Sequence, residues 1–250
     1  MKMVTLNTWG HDGPYQKRWN FFLEELKTLN PDVVCLQEVF EPTLTEQIKK
    51  TLNFPYSVAS TEAGLAMITR FTVLSEKVVN YKTASPIESY NRRAVIVTLR
   101  AGTKKITFAN THLAWKPEDE ATRLGQVQEL LRAVKKEKDP AILAGDFNDT
   151  PESAPVQEVK RSGYHDLYGS LHPNEAGLTW DNRNPFIQTH AVKLPDRRID
   201  FIFAQERLLT TSPSKICSVV FNHPNSAGVY PSDHYGLFAE IDFNTQSNFG

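Results

Sequence analysis

Apolar positions along the chain keep two alternating rhythms. Met3, Val4 and Leu6 form a short run that ends in Asn7, the pattern of a strand over 2–7. Trp19, Phe22, Leu26 and Leu29 then recur at three- and four-residue intervals behind Pro14, which predicts a helix over 15–29. The segment 32–39, with its apolar run Val33 to Leu36, reads as a strand covered on both faces. A second helix is expected over 42–52, then strands over 56–60, 64–70, 73–80, 93–100 and 105–111. Residues 117–138 predict the clearest helix, with Leu124, Val127, Leu131 and Val134 as its apolar stripe. Glu118, Asp119 and Glu120 open it and Lys135, Lys136 and Lys138 close it, signs that suit the helix dipole. A strand from Ala141, a short helix over 153–161 and strands over 198–204, 215–221 and 235–243 complete the series. Residues 172–196 have no period but hold Trp180, Asn182, Arg183, Asn184, Phe186 and His190. An aperiodic segment of that length is usually functional or disordered, and its aromatic and amide residues favour function.

The apolar strands share a habit of ending in polar residues. Asn7 follows the first, Gln37-Glu38 the second, and Asn110 with His112 a third. Ala141 to Ala144 climbs to Gly145 and releases Asp146 and Asn148, two apart, the spacing of one strand face. Asp200 lies on an apolar strand beside Arg198, and Ser232-Asp233-His234 precedes the last one. Each has a structural reading of its own: Asp146 and Asn148 serve as well in an Asx-type turn, and a lone histidine is more often a satisfied core residue. Asp200 could equally pair with Arg197 or Arg198. Six such strand ends together argue for a site, because open sheets collect their sites at one end of the strands. Hard oxygen donors with amides and few histidines suit Mg²⁺ or Mn²⁺ better than zinc. The set fits hydrolysis of a phosphate ester, with a cation to neutralise charge, a base for water and donors for the phosphoryl centre.

Composition narrows the partners. The 250 residues carry a formal net charge of -1, without the basic excess usual for gripping long nucleic acid. The basic pairs, Lys49-Lys50, Arg92-Arg93, Lys104-Lys105 and Arg197-Arg198, are scattered and read as solvated surface. Two cysteines, Cys35 and Cys217, each sit in an apolar run and read as buried free thiols. No apolar run is long enough to span a membrane, and Met3 to Leu6 reads as a strand instead of a targeting signal. A monomeric cytoplasmic protein, folded as one domain over 1–250, is the default expectation, and a processed secreted form stays open.

In order along the chain, Leu6-Asn7-Thr8-Trp9-Gly10, Leu36-Gln37-Glu38-Val39, Thr111-His112-Leu113, Gly145-Asp146-Phe147-Asn148, Arg198-Ile199-Asp200 and Ser232-Asp233-His234 resemble the motifs of the endonuclease/exonuclease/phosphatase superfamily. The resemblance covers nearly the whole chain. It implies a DNase I-like α/β fold, a four-layer sandwich of two mixed β-sheets flanked by helices. It implies a metal held by Glu38 with Asn7 and Asp233 close by, and a water positioned or deprotonated by Asp146. Asn148 and His112 would hold the scissile phosphate, and His234, oriented by Asp200, would bond the phosphoryl oxygens. Trp9 stands where the apurinic endonucleases and tyrosyl-DNA phosphodiesterases carry Asp, and this looks more like the sphingomyelinases. Gly177-Leu178-Thr179-Trp180-Asp181 and Ser232 to Leu237 are similar to the tyrosyl-DNA phosphodiesterases instead.

The expectation is therefore a Mg²⁺-dependent phosphoesterase. Near-neutral charge and Trp9 tilt it toward a small or lipid-like phosphodiester, with an apolar mouth built from Trp180 and Phe186. The alternative is a nuclease or DNA-end-processing enzyme, marked by a basic track and steep salt dependence. A non-catalytic binding protein on the same fold would be expected to have lost a ligand or the His234–Asp200 pair, and no motif position is missing.

Overall fold

The computed structural model describes residues 1–242, so the expected extension of the last strand to Phe243 lies outside the described residues. Among the described residues, twelve strands form two six-stranded mixed sheets. In the first, β11 (Ser214–Val220), β12 (Gly236–Ile241), β1 (Lys2–Asn7), β2 (Val33–Gln37), β4 (Leu65–Thr69) and β3 (Tyr56–Ser60) lie side by side. In the second the order is β5 (Thr72–Asn80), β6 (Arg93–Ala101), β7 (Lys104–His112), β8 (Ala141–Asp146), β10 (Asp200–Gln205) and β9 (Tyr164–Asp166). Each sheet contains one parallel pair, β1 with β2 and β7 with β8, and all other pairings are antiparallel.

Alternation along the strands builds the layers. Met3, Cys35, Val97, Phe108, Ile142, Ile202 and Leu237 face inward and fill the space between the sheets. Their neighbours Val4, Leu6, Val34 and Leu36 face outward and are covered by Trp19, Phe22, Leu26 and Ile48 of α1 (Tyr15–Leu29) and α2 (Pro42–Leu52). On the far side, α3 (Glu120–Val134) and α4 (Ala154–Arg161) cover Ala109, Leu143, Phe201 and Phe203. The expected four-layer sandwich is the observed one, and both cysteines are buried and free.

Several boundaries differ from expectation for physical reasons. The helix expected over 117–138 opens as a 3-10 turn and ends at Val134, so its three lysines lie beyond it. Its buried face includes Arg123, Gln126 and Leu130, whereas Leu124 and Leu131 are only half-buried. Arg123 reaches Asp149 at 2.7 Å and the Ala114 and Lys116 carbonyls, and Gln126 receives the Ala114 N–H, so polar side chains occupy part of the expected apolar stripe. β9, α5 (Leu167–Leu171) and α6 (Glu206–Leu209) were not anticipated, being too short to show a period. Arg198 does not flank Asp200 electrostatically; it is buried against Asp166 at 2.7 Å. Arg92 is equally buried, paired with Glu88 at 2.8 Å, so neither arginine is the solvated surface its sequence suggested.

Asn110 also takes a role other than the site. Its amide sits between the sheets, donating to the Leu36 and Ala66 carbonyls at 2.8 and 2.9 Å and accepting from Gln37 at 2.7 Å. A buried amide with these partners ties β7 to β2 and β4. His112, two residues on, shares its face and emerges where the inter-sheet layer opens.

Candidate active site

Parallel pairing brings the polar strand ends together. Asn7 is in register with Gln37 across β1 and β2, and His112 with Asp146 across β7 and β8. Asp200 is opposite Asp146 across β10 and β8. At each exit the backbone turns sharply. Trp9, Glu38 and Asn148 have φ of 57°, 62° and 52°, in the left-handed region that costs a non-glycine residue about 1 kcal/mol or more. Gly145 is required where β8 leaves the sheet, since a Cβ there would stand 2.0 Å from the Thr111 carbonyl oxygen.

The Asp146 carboxylate is the centre of the cluster. Its Oδ2 lies 3.0 Å from Asn7 Nδ2, 3.4 Å from His112 Nε2 and 3.9 Å from His234 Nε2. Its Oδ1 accepts the Asn148 N–H at 2.8 Å. The segment is thus an Asx turn and a site at once: Asn148 does not continue the strand face, and its Nδ2 donates to the Leu113 carbonyl at 3.1 Å. Asn7 Nδ2 also donates to Glu38 Oε1 at 3.0 Å, so two carboxylates converge on one neutral amide.

His234 faces Asp200, with Nδ1 2.9 Å from Oδ2. Asp200 is held in turn by its own N–H and that of Ile199, both donating to Thr179 Oγ1. The ring packs edge-on to Trp180, 5.1 Å between centroids. Asp233 points away from Glu38 in its bonding: Oδ2 meets His190 Nε2 at 2.8 Å and Oδ1 accepts the His234 N–H at 2.9 Å.

These surroundings separate the titrating groups. Burial alone would lower His234, but the Asp200 charge and hydrogen bond, then Asp233 and Asp146, raise it to about 10. His112 is pushed well below its ordinary range by burial, then by Arg92 and His234, so it is neutral. Burial first and Asp200 second raise Asp146 to about 7, against the pull of His234, Asn7 and the Asn148 N–H. Glu38 is raised by burial and by Asp233. Groups pushed apart in this way can act as acid and base at one pH.

Asp146, buried, and Glu38, half-buried, face one neutral amide and offer carboxylate oxygens, which fits a hard divalent cation. Ligand atoms of Asp146, Asp200 and His234 also lie within 4.8 Å of one another. There, however, His234 is a cation paired with Asp200, whereas on the other side the Glu38 and Asp146 oxygens face a neutral amide; Asn7 presents Nδ2 to them and Oδ1 to the Trp9 N–H, so it would have to turn to ligate an ion through oxygen.

The eight residues that the resemblance gave site roles, Asn7, Glu38, His112, Asp146, Asn148, Asp200, Asp233 and His234, come to this one place. Seven of them line a cavity of about 300 Å³, with Asp200 behind His234. Its rim adds Trp9, Tyr90, Trp115 and Trp180, and Phe186 packs on Trp9 at 5.0 Å. The segment over 172–196 does border the site, as expected, and it is not structureless. Trp180 pairs with Arg197, a 3-10 turn spans Ile187–Thr189, and Asn184 Nδ2 holds the Ser232 carbonyl at 2.8 Å.

Sequence reasoning gave Arg92 and Arg197 no place in the site and named His190 only as part of the aperiodic segment. Arg92 stacks on Tyr90, 4.6 Å from the ring centroid, and its buried Nη2 has no partner. Only the Glu88 to Arg92 spacing of four residues offered a signal, and it lies outside any helix.

Residues 4–234 match the family described as Endonuclease/Exonuclease/phosphatase family. The chain is 26% identical to human tyrosyl-DNA phosphodiesterase 2 over 259 residues, 96% of this chain and 68% of that protein. It is 28% identical to protein angel homolog 2 of Danio rerio over 169 residues, 58% of this chain, and spans only 30% of that relative's length. The crystal structure of D. rerio TDP2 complexed with single strand DNA product superposes with a TM-score of 0.82 at 21% identity, covering 97% of this chain and 98% of that one. The extent of the match and the shared fold show that the chain belongs to the endonuclease/exonuclease/phosphatase family, hydrolases of phosphoric esters.

Proposed function

We propose that the chain is a divalent-metal-dependent phosphodiesterase that cleaves a phosphodiester of the nucleic-acid type. The observation that carries the reading is the Asp146 carboxylate, held at once by Asn7, His112, His234 and the Asn148 N–H. Asn7 and Glu38 would hold Mg²⁺, or Mn²⁺ in its place, with Asp233 adding charge from behind. When bound, the ion would neutralise phosphate oxygens. Asp146 takes the proton of the attacking water, its carboxylate being held in place by Asn7 and the Asn148 N–H. The His234 cation, fixed by Asp200, donates through Nε2 to the phosphoryl centre as charge develops. His112, Asn148 and the free Nη2 of Arg92 orient the phosphate.

Two lines of support favour a nucleic-acid substrate. Relatives carry names such as tyrosyl-DNA phosphodiesterase, and the rim carries the exposed Tyr90 and the half-buried Trp115, aromatic rings on which a base can stack. The leaning toward a small or lipid phosphodiester receives no support from the relatives. It keeps one observation, the apolar Val192 and Leu194 on the cavity wall. A divalent-metal activity panel decides between them: single-stranded and abasic DNA, sphingomyelin, inositol phosphates and bis-p-nitrophenyl phosphate, each with Asp146→Asn as control. Metal-dependent turnover of DNA, lost in the variant, is expected. Turnover of sphingomyelin alone would transfer the site to the second reading, and none on any ester would overturn both.

A further inference from the structure

Arg197 is the residue where two cavities meet. The catalytic cavity of about 300 Å³ and a surface groove of about 940 Å³ both count it in their walls. The two also abut along the chain: Asn148 lines the first and Thr150 the second, Leu194 the first and Asp196 the second. Its backbone is fixed by reciprocal hydrogen bonds with Trp180 at 2.9 Å. Its guanidinium makes no hydrogen bond or ion pair of 4 Å or less among the described residues, and its buried Nε has no partner. The nearest acids do not claim it. Asp149 is taken by Arg123 at 2.7 Å, and Asp146 by the catalytic set. A half-buried guanidinium without an acceptor is unfavourable, and a planar fork of donors matches a phosphate.

We propose that Arg197 binds a second phosphate, next to the scissile one, and that the substrate runs from the catalytic cavity past Arg197 into the groove. This rests on the phosphodiesterase reading and makes it more specific: the substrate is a chain of phosphodiesters, a short single strand, instead of a lone headgroup. The groove beyond Arg197 has mixed charge, with Lys160, Arg161 and His165 set against Glu152, Glu175 and Glu206. It therefore offers no continuous polyanion track, and the discrimination falls on one arginine.

Binding of fluorescein-labelled hexathymidylate, followed by anisotropy in Mg²⁺ on the Asp146→Asn background, tests this directly. Arg197→Met should weaken binding about tenfold and lower the slope of log affinity against log salt by about 0.7, the value for one phosphate contact on a single strand. Arg197→Lys, which keeps the charge, should retain the slope. In the Asp146-containing protein, kcat/KM for hexathymidylate should fall about tenfold more than for bis-p-nitrophenyl phosphate, which has no second phosphate. Unchanged slope and affinity in folded Arg197→Met, or no binding of hexathymidylate by the parent, would overturn the inference. Turnover of bis-p-nitrophenyl phosphate by the unsubstituted protein reports separately on the phosphodiesterase reading, so the two can fail independently.

Discussion

His234 Nδ1 lies 2.9 Å from Asp200 Oδ2, and this contact turns Nε2 toward Asp146, 3.9 Å away. Among the described residues the buried Oδ1 of Asp200 has no hydrogen-bond partner, so this ring is its one side-chain hydrogen bond, while its charge is also felt by Asp146. The pair makes His234 a fixed cation between two carboxylates.

Asp200→Asn should therefore cost more than a hydrogen bond. The His234 value should fall from about 10 toward or below its ordinary 6.5, because burial then acts with less opposition. The folded value is raised, so the stabilisation it gives is fully present below pH 6.5 and is lost as pH rises through about 10. A His234 titration by NMR should show the shift, and the alkaline limb of activity should move down with it. Loss of the cation should slow turnover by roughly 10²–10⁴-fold, the usual worth of general acid catalysis. A variant within a few-fold of the parent would remove His234 from the mechanism.

Asp146 couples cation binding to protons. Its carboxyl keeps a proton up to about 7 without a metal, whereas an unfolded chain releases it near 3.8. The metal-free protein should thus lose stability as pH rises from about 4 to 7, and Asp146→Asn should flatten that part of the curve. Cation binding should release protons at pH 6, seen as buffer-dependent heats in calorimetry, and affinity should weaken as pH falls below 7. Equal heats in buffers of different ionisation enthalpy would contradict this.

Asn110 should matter for stability and not for chemistry. Asn110→Ala removes the side-chain donor of the Leu36 and Ala66 carbonyls between the sheets and leaves the Gln37 amide with Thr5 Oγ1 at 3.2 Å. Buried groups left unpaired cost about 1–3 kcal/mol each. At about 2–4 °C per kcal/mol for a chain of this size, a fall in Tm of about 5–20 °C is expected, with the KM at low temperature little changed. An unchanged Tm would mean that the inter-sheet amides are replaceable.

The sandwich was legible because its helices and long strands each bury one face. Trp19, Phe22 and Leu26 announce α1, and the unbroken run ending at Cys35-Leu36 announces a strand covered twice. Short elements such as β9 carry too few residues to show a period. The candidate site residues were legible because parallel pairing forces strand ends together, so their polar residues recur at ends. Asn110 obeyed the same rule and still belongs to the sheet interface, since period two cannot say where along a strand the layer opens. Arg92, Arg197 and His190 sit in irregular segments, and only tertiary packing reveals what they face.

The central claim is that Glu38 and Asn7 hold a divalent ion beside Asp146. Mg²⁺ titration of bis-p-nitrophenyl phosphate hydrolysis, comparing the unsubstituted protein with Glu38→Gln, tests it most directly. The account predicts saturable, Mg²⁺-dependent turnover that Glu38→Gln abolishes while the melting profile stays intact. Full Mg²⁺-dependent activity in Glu38→Gln would contradict it.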